Sequence, residues 1–138
     1  MLAIANCVII IPFMEGIIVT CRGIRGATTV AANKGEDILA ATEELLQKII
    51  EANQVEAKDV ACAFFTTTPD LDAEFPAVAA RQLGWSDVPL LCGHEMNVPH
   101  GLPRCLRILI LLNTEKQARD MNHIYLKGTE ALKQRESA

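Results

Sequence analysis

Arg104-Cys105-Leu106-Arg107-Ile108-Leu109-Ile110-Leu111-Leu112-Asn113 is a nearly continuous apolar run, entered after Pro103 and closed by Asn113. A run this short between turn-forming residues reads as a buried strand. One residue in it conflicts with burial. Arg107 is a permanent cation with no accessible neutral form. Buried without a partner, a guanidinium costs several kcal/mol or more. Arg107 must therefore face a carboxylate, an anionic ligand or a wet cleft. An internal ion pair, or a side chain snorkelling at a strand end, would answer the conflict as well as an anionic small molecule would. The rest of the chain decides between them.

The chain has 138 residues, half of them hydrophobic and 4% aromatic, enough for one domain with a largely aliphatic core. A net charge of −4 and the lack of any basic block argue against a nucleic-acid binder. The five cysteines form an odd set without paired or metal-like spacing, which fits reduced thiols in a cytoplasmic protein. Residues 1–14 are strongly apolar but too short to span a bilayer. They also lack the charged start and cleavage site of a signal peptide. We read residues 1–18 as an appendage outside the fold, with Met14 an alternative start, residues 19–133 as the domain, and 134–138 as a mobile tail.

Ile17-Ile18-Val19-Thr20-Cys21 reads as the first core strand and runs into Arg22-Gly23-Ile24-Arg25-Gly26. Alternation places Arg25 on the face opposite Ile24. It projects there from glycine-flanked backbone, either as a salt-bridged surface residue or toward a site. Asn33-Lys34-Gly35-Glu36 resembles a capping box. Ile38, Ala41, Thr42, Leu45, Leu46, Ile49 and Ile50 follow at helical spacing, and the helix should end near Asn53. Glu44 and Lys48 are spaced as an i,i+4 pair on its solvated side.

Val60–Thr67 reads as a second buried strand, and Thr68-Pro69-Asp70-Leu71 as a turn. A second helix starts at Phe75-Pro76, contains Ala77 and Arg81, and ends before Gly84. Leu90–Met96 is strand-like with polar residues toward its end. A turn-rich loop then leads straight into the Arg107 strand, so the two strands read as hairpin partners. That pairing would bring Glu95 beside Arg107, as a plain counter-ion or as part of a site. Cys92, His94 and Glu95 have poor spacing for a metal, and no third group orients a Cys–His nucleophile. Residues 114–121 read as a short helix, His123–Leu126 as a last short strand, and the charged stretch from Lys127 as mobile unless something orders it. Tyr125 is the only tyrosine, a candidate donor to a carboxylate.

Several motifs in this order carry a resemblance. They are R-G-I-R-G-A-T-T-V at 22–30, T-P-D-L at 68–71, F-P-A at 75–77, V-P-L-L-C at 88–92, E-M-N-V-P at 95–99, L-P-R-C-L-R at 102–107 and H-I-Y-L at 123–126. From about Val19 to Lys133 the chain resembles a monofunctional chorismate mutase of the AroH class, a trimeric, mixed α/β family. The resemblance implies an α+β domain that assembles as a pseudo-α/β-barrel homotrimer, with active sites in the clefts between subunits and neither cofactor nor metal. It implies conversion of chorismate to prephenate in the cytoplasm, on the branch to phenylalanine and tyrosine.

By this similarity Arg107 and Arg25 would contact substrate, with Arg107 reaching a carboxylate and the ether oxygen. Glu95, helped by the Cys92 region, would accept a hydrogen bond from the ring hydroxyl, and Tyr125 would donate to a carboxylate. Phe75, Ala77 and Arg81 would come from the neighbouring subunit, and Leu132 and Lys133 from the tail. The chain departs from the pattern at Val78, where many relatives carry lysine, and at Ala131-Leu132-Lys133-Gln134, where they often read V-L-R-P. Lys133 keeps a charge but not the fork of arginine. Two other classes compete: a trimeric imine or enamine deaminase-like protein, and a non-catalytic module binding small carboxylates. The first of these does not explain Glu95 together with Tyr125.

Overall fold

The computed structural model describes residues 16–136, so the apolar segment at 1–14 lies outside the described residues. The elements are β1 (Thr20–Thr29), α1 (Gly35–Asn53), β2 (Val60–Thr67), α2 (Ala77–Gln82), β3 (Leu90–His94), β4 (Cys105–Thr114), β5 (Ile124–Tyr125) and α3 (Glu130–Glu136). They build an α+β fold around a five-stranded mixed sheet in the order β3-β2-β4-β1-β5. β4 runs antiparallel to β1 and β2, while β3 is parallel to β2 and β5 parallel to β1.

The most apolar strand thus takes the centre. Leu106, Ile108, Ile110 and Leu112 point to one face and are buried with Ile24 and Phe65 against Ile38, Leu45, Leu46 and Ile49 of α1. The intervening residues, Arg107, Leu109 and Leu111, point to the other face, which is only partly covered. Gly26 lets α1 approach closely: a methyl group there would stand 2.6 Å from Ile49 Cδ1. α2 ends in a Schellman arrangement, with Gly84 at φ 95°, its N–H on Arg81 O and the Trp85 N–H on Ala80 O.

Several expectations need correction. β3 and β4 are not hairpin partners, because β2 lies between them. Seating β4 in the middle gives its backbone a paired neighbour on both edges, which a terminal hairpin would not. β1 begins at Thr20 rather than Ile17, since the Thr20–Thr114 rung is the last that β4 offers; Ile17, Ile18 and Val19 are exposed. Asn33 does not cap α1. The N-cap is Lys34 without a side-chain bond, and Asn33 Oδ1 instead accepts the N–H groups of Asp72 and Ala73, each at 3.0 Å. Glu44 holds Lys127 at 3.0 Å.

Residues 114–121 contain only a single 3₁₀ turn at Ala118–Asp120, because Lys116 leaves the helical path to bind Asn53 O at 3.0 Å. The stretch from Lys127 is ordered into a 3₁₀ turn and α3. Its anchor is Thr129, fully buried, whose hydroxyl meets Ala27 O at 3.0 Å and Leu126 O at 2.7 Å.

Candidate active site

The strand register sets four residues in a row on the open face. Thr66 pairs with Arg107, Arg107 with Ala27, and Ala27 with Tyr125, a line across β2, β4, β1 and β5. Ala27 is the small member of the row and is buried. Arg25 lies two residues earlier on the same face of β1, opposite Leu109. These side chains, with Leu132 of α3, line a cleft of about 220 Å³.

Glu95 enters from the end of β3. Its N–H donates to Thr67 O at 2.8 Å, extending the β2–β3 ladder by one rung. Its Oε1 lies 3.1 Å from Arg107 Nε and accepts the Thr66 hydroxyl at 2.6 Å. The Arg107 Nε–H is buried and has no aligned acceptor, so the contact with Glu95 is one of charge rather than a hydrogen bond. The Arg107 side chain is nevertheless 40% exposed, so its accessible part lies away from Nε, on the cleft. The ion pair is neither dry nor closed.

The entry to β4 is held just before Arg107. Arg104, at φ 47°, donates its N–H to Asp70 Oδ2 at 2.8 Å, and the Cys105 N–H donates to Thr68 Oγ1 at 3.0 Å. The Thr68 hydroxyl also bonds Asp70 Oδ1. That hydroxyl, with the Arg104 N–H, holds the Asp70 carboxyl below the usual carboxylate range. Burial pushes the Cys105 thiol up, partly offset by the neighbouring Arg107. A buried, protonated thiol is inert.

The single chain therefore brings together Arg25, Glu95, Arg107, Tyr125 and Leu132, and leaves the other expected residues apart. Cys92 pairs with Phe65 and turns toward the core side, where it lines a second cleft of about 400 Å³ with Phe75 and His94. The Ala77 methyl is packed in the core, leaving only its backbone for a ligand. Arg81 is exposed on α2, and Lys133 lines a different depression beside Lys48 and Glu51. Thr66 was absent from the sequence expectations. Only the β2–β4 register reveals it, and a hairpin between β3 and β4 hides that register. Among the described residues, no group of three His, Cys, Asp or Glu side chains is placed to hold a metal ion.

The family model described as chorismate mutase type I matches residues 21–135. The chorismate mutase AroH of Bacillus subtilis (strain 168) is 44% identical over 113 residues, covering 81% of this chain and 89% of the relative. That of Thermus thermophilus is 47% identical over 113 residues, covering 81% and 93%. Among solved structures, a chorismate mutase from Clostridium thermocellum superposes with a TM-score of 0.78 at 44% identity, covering 79% of this chain and 97% of that one. The chain belongs to the chorismate mutase type I family.

Proposed function

We propose that the chain is an isomerase that converts chorismate to prephenate by Claisen rearrangement, and that the Arg107 cleft is where it does so. In this step one C–O bond breaks as one C–C bond forms within a single molecule. No nucleophile, proton transfer or metal is required. The pocket has two tasks: to hold a flexible dianion in its compact reactive form, and to stabilise charge growing on the ether oxygen.

The observation that carries the proposal is the half-exposed Arg107 guanidinium, steered by Glu95 from behind and open to the cleft in front. A cation already fixed in place stabilises the ether oxygen without reorganising during the reaction, most strongly once bound substrate displaces water from the cleft. Arg25 and Tyr125 flank it as further contacts for the carboxylates, Leu132 closes one side, and Glu95 accepts from the ring hydroxyl. The aspect of the fold that selects a dianion is its two arginines on one sheet face.

The same proposal includes a homotrimer. Leu91 and Leu109 are exposed on the sheet face that α1 does not cover, at 61% and 37%, which supports a partner against that face. A neighbouring copy there would bring its own Phe75, Ala77 and Arg81 toward the Arg107 cleft. We take the domain as residues 19–133, and among the described residues the free thiols of Cys21, Cys62, Cys92 and Cys105 suit the reducing cytoplasm. No described helix is long and apolar enough to cross a membrane.

The test is to mix the protein with chorismate and follow loss of its diene absorbance, with mass measured by light scattering on the same sample. Decay well above the uncatalysed rate in a trimer supports the reading. An assembled trimer without activity, or an active monomer, overturns the corresponding half.

A further inference from the structure

β1 carries Arg25, yet β5 pairs with β1 only at Gly26 and Ala27. The N–H of Arg25 faces outward just beyond that short ladder, where a sheet edge would leave it without a strand partner. His123 supplies one: its Nδ1 accepts the Arg25 N–H at 3.0 Å. A backbone amide can only donate, so Nδ1 carries no proton in this arrangement and the neutral ring bears its hydrogen on Nε2.

The imidazole is itself set in place from the core. Asn53, 2% exposed at the end of α1, bonds both backbone groups of the preceding residue. Its Nδ2 donates to Asn122 O at 2.9 Å, and its Oδ1 accepts the Asn122 N–H at 2.8 Å. Asn122 returns a bond from Nδ2 to Ala52 O at 3.0 Å. Asn53 thus acts on residue 122 as a strand neighbour would, and His123 starts from a fixed backbone. On its other side His123 leads directly into Ile124 and Tyr125 of β5.

We propose that His123 is a positioning residue for this site, holding the Arg25 backbone at the cleft through an acceptor that exists only while the ring is neutral. The proposal rests on the reading of the cleft as the chorismate site with Arg25 as a substrate contact. Protonation of Nδ1 would replace the hydrogen bond with two opposed donors and release Arg25 from its rung. Charged and titratable groups around the ring are Arg25 from β1, Lys48 and Glu51 from α1, Tyr125 from β5, and Glu130 and Lys133 from α3. They flank the ring with both signs of charge.

Two variants and one spectroscopic measurement test it. In His123→Asn, Oδ1 takes the place of Nδ1 as an acceptor that does not titrate. In His123→Leu the acceptor is removed. Steady-state rearrangement of chorismate is measured from about pH 8 to about pH 5, the span in which histidine side chains change charge. We expect His123→Leu to raise KM roughly three- to tenfold at the alkaline end with a smaller change in kcat, the worth of one hydrogen bond. The wild-type KM should rise toward acid, and His123→Asn should keep the wild-type KM at the alkaline end and lose that rise.

Nitrogen NMR of the native protein should show the Nε2–H tautomer at the alkaline end, with or without substrate. An Nδ1–H tautomer overturns the proposal, as does a wild-type acid profile in His123→Asn. A wild-type protein that leaves chorismate unchanged overturns the functional reading instead, while the tautomer still reports on His123.

Discussion

Arg107 Nε and Glu95 Oε1 stand 3.1 Å apart although the strands that deliver them, β4 and β3, are separated by β2. Thr66 bridges the gap, since it pairs with Arg107 in register and hydrogen-bonds Glu95 through its hydroxyl. Glu95 thus screens the buried end of the guanidinium without closing the cleft. Counter-ion and site residue are compatible roles, because the two ends of the arginine face different surroundings.

Arg107→Ala should lower turnover at least about a hundredfold, since loss of a donor aimed at developing negative charge removes about 3–4 kcal/mol of transition-state stabilisation. Arg107→Lys should fail nearly as badly, because a point charge cannot serve two oxygens at once. Chorismate kinetics on the two variants check this. A lysine variant close to wild type sinks the forked contact.

Arg25→Ala should raise KM more than it lowers kcat. A group that holds a carboxylate binds the ground state and the transition state alike. We expect about a tenfold rise in KM, the value of one charge-assisted hydrogen bond. The opposite split, with KM unchanged and kcat reduced, would make Arg25 a partner of the ether oxygen instead.

Asp70 contributes to the acid limb of stability. Its folded carboxyl titrates below the unfolded one, so between the two values the native state binds fewer protons and stability rises with pH. That contribution is fully present above the unfolded-state value, about 3.9, and is lost as pH falls through the folded value. The carboxylate is largely open to solvent, which limits the effect. Asp70→Asn should cost roughly 0.5–1 kcal/mol at neutral pH and flatten the acid limb. Urea melts of both proteins at neutral and acid pH decide it: parallel acid limbs would refute the assignment.

Gly26→Ala should lower the melting temperature through crowding against α1, by about 1–3 kcal/mol of stability. The methyl meets side-chain ends first, Ile49 Cδ1 at 2.6 Å and Leu45 Cδ1 at 3.1 Å. Trimming one of them should therefore give relief, and Ile49→Val in the same chain should recover part of the loss. At Gly23 the nearest atom to an added methyl is Leu109 Cδ1 at 3.6 Å, so Gly23→Ala serves as the control with little expected change. Thermal melts that rank the two glycines the other way contradict the packing.

What was legible in the sequence was local. The periodicity from Ile38 to Ile49 shows the buried face of α1, and Gly84 announces the end of α2. Arg107 stood out because a charge in an apolar strand demands an explanation wherever the strand sits. The neighbours of that strand were not legible. A loop joins β3 to β4, and the local preference for a hairpin hides the larger gain of seating the most apolar strand between two others.

The same limit explains Asn33 and the tail. Asn33 has the identity and spacing of a helix cap, yet two free amides at Asp72 and Ala73 claim it from a distant loop. The stretch from Lys127 is charged enough to suggest solvent, and one buried hydroxyl, at Thr129, is what ties it down. Of the candidate site, Arg25, Glu95, Arg107, Tyr125 and Leu132 could be named from residue type and resemblance. Thr66 and Ala27 needed the register.

The central place of β4 also bears on how the chain is made. Its two flanking strands, β1 and β2, are synthesised long before it, and neither pairs with the other. Until residue 114 has left the ribosome, a growing chain holds two apolar strands with open inner edges and a vacancy between them. Such edges invite pairing with strangers. Arrival of β4 fills that vacancy and delivers Arg107 to Thr66 and Ala27 in one event, so the floor of the Arg107 cleft and protection from aggregation are gained together.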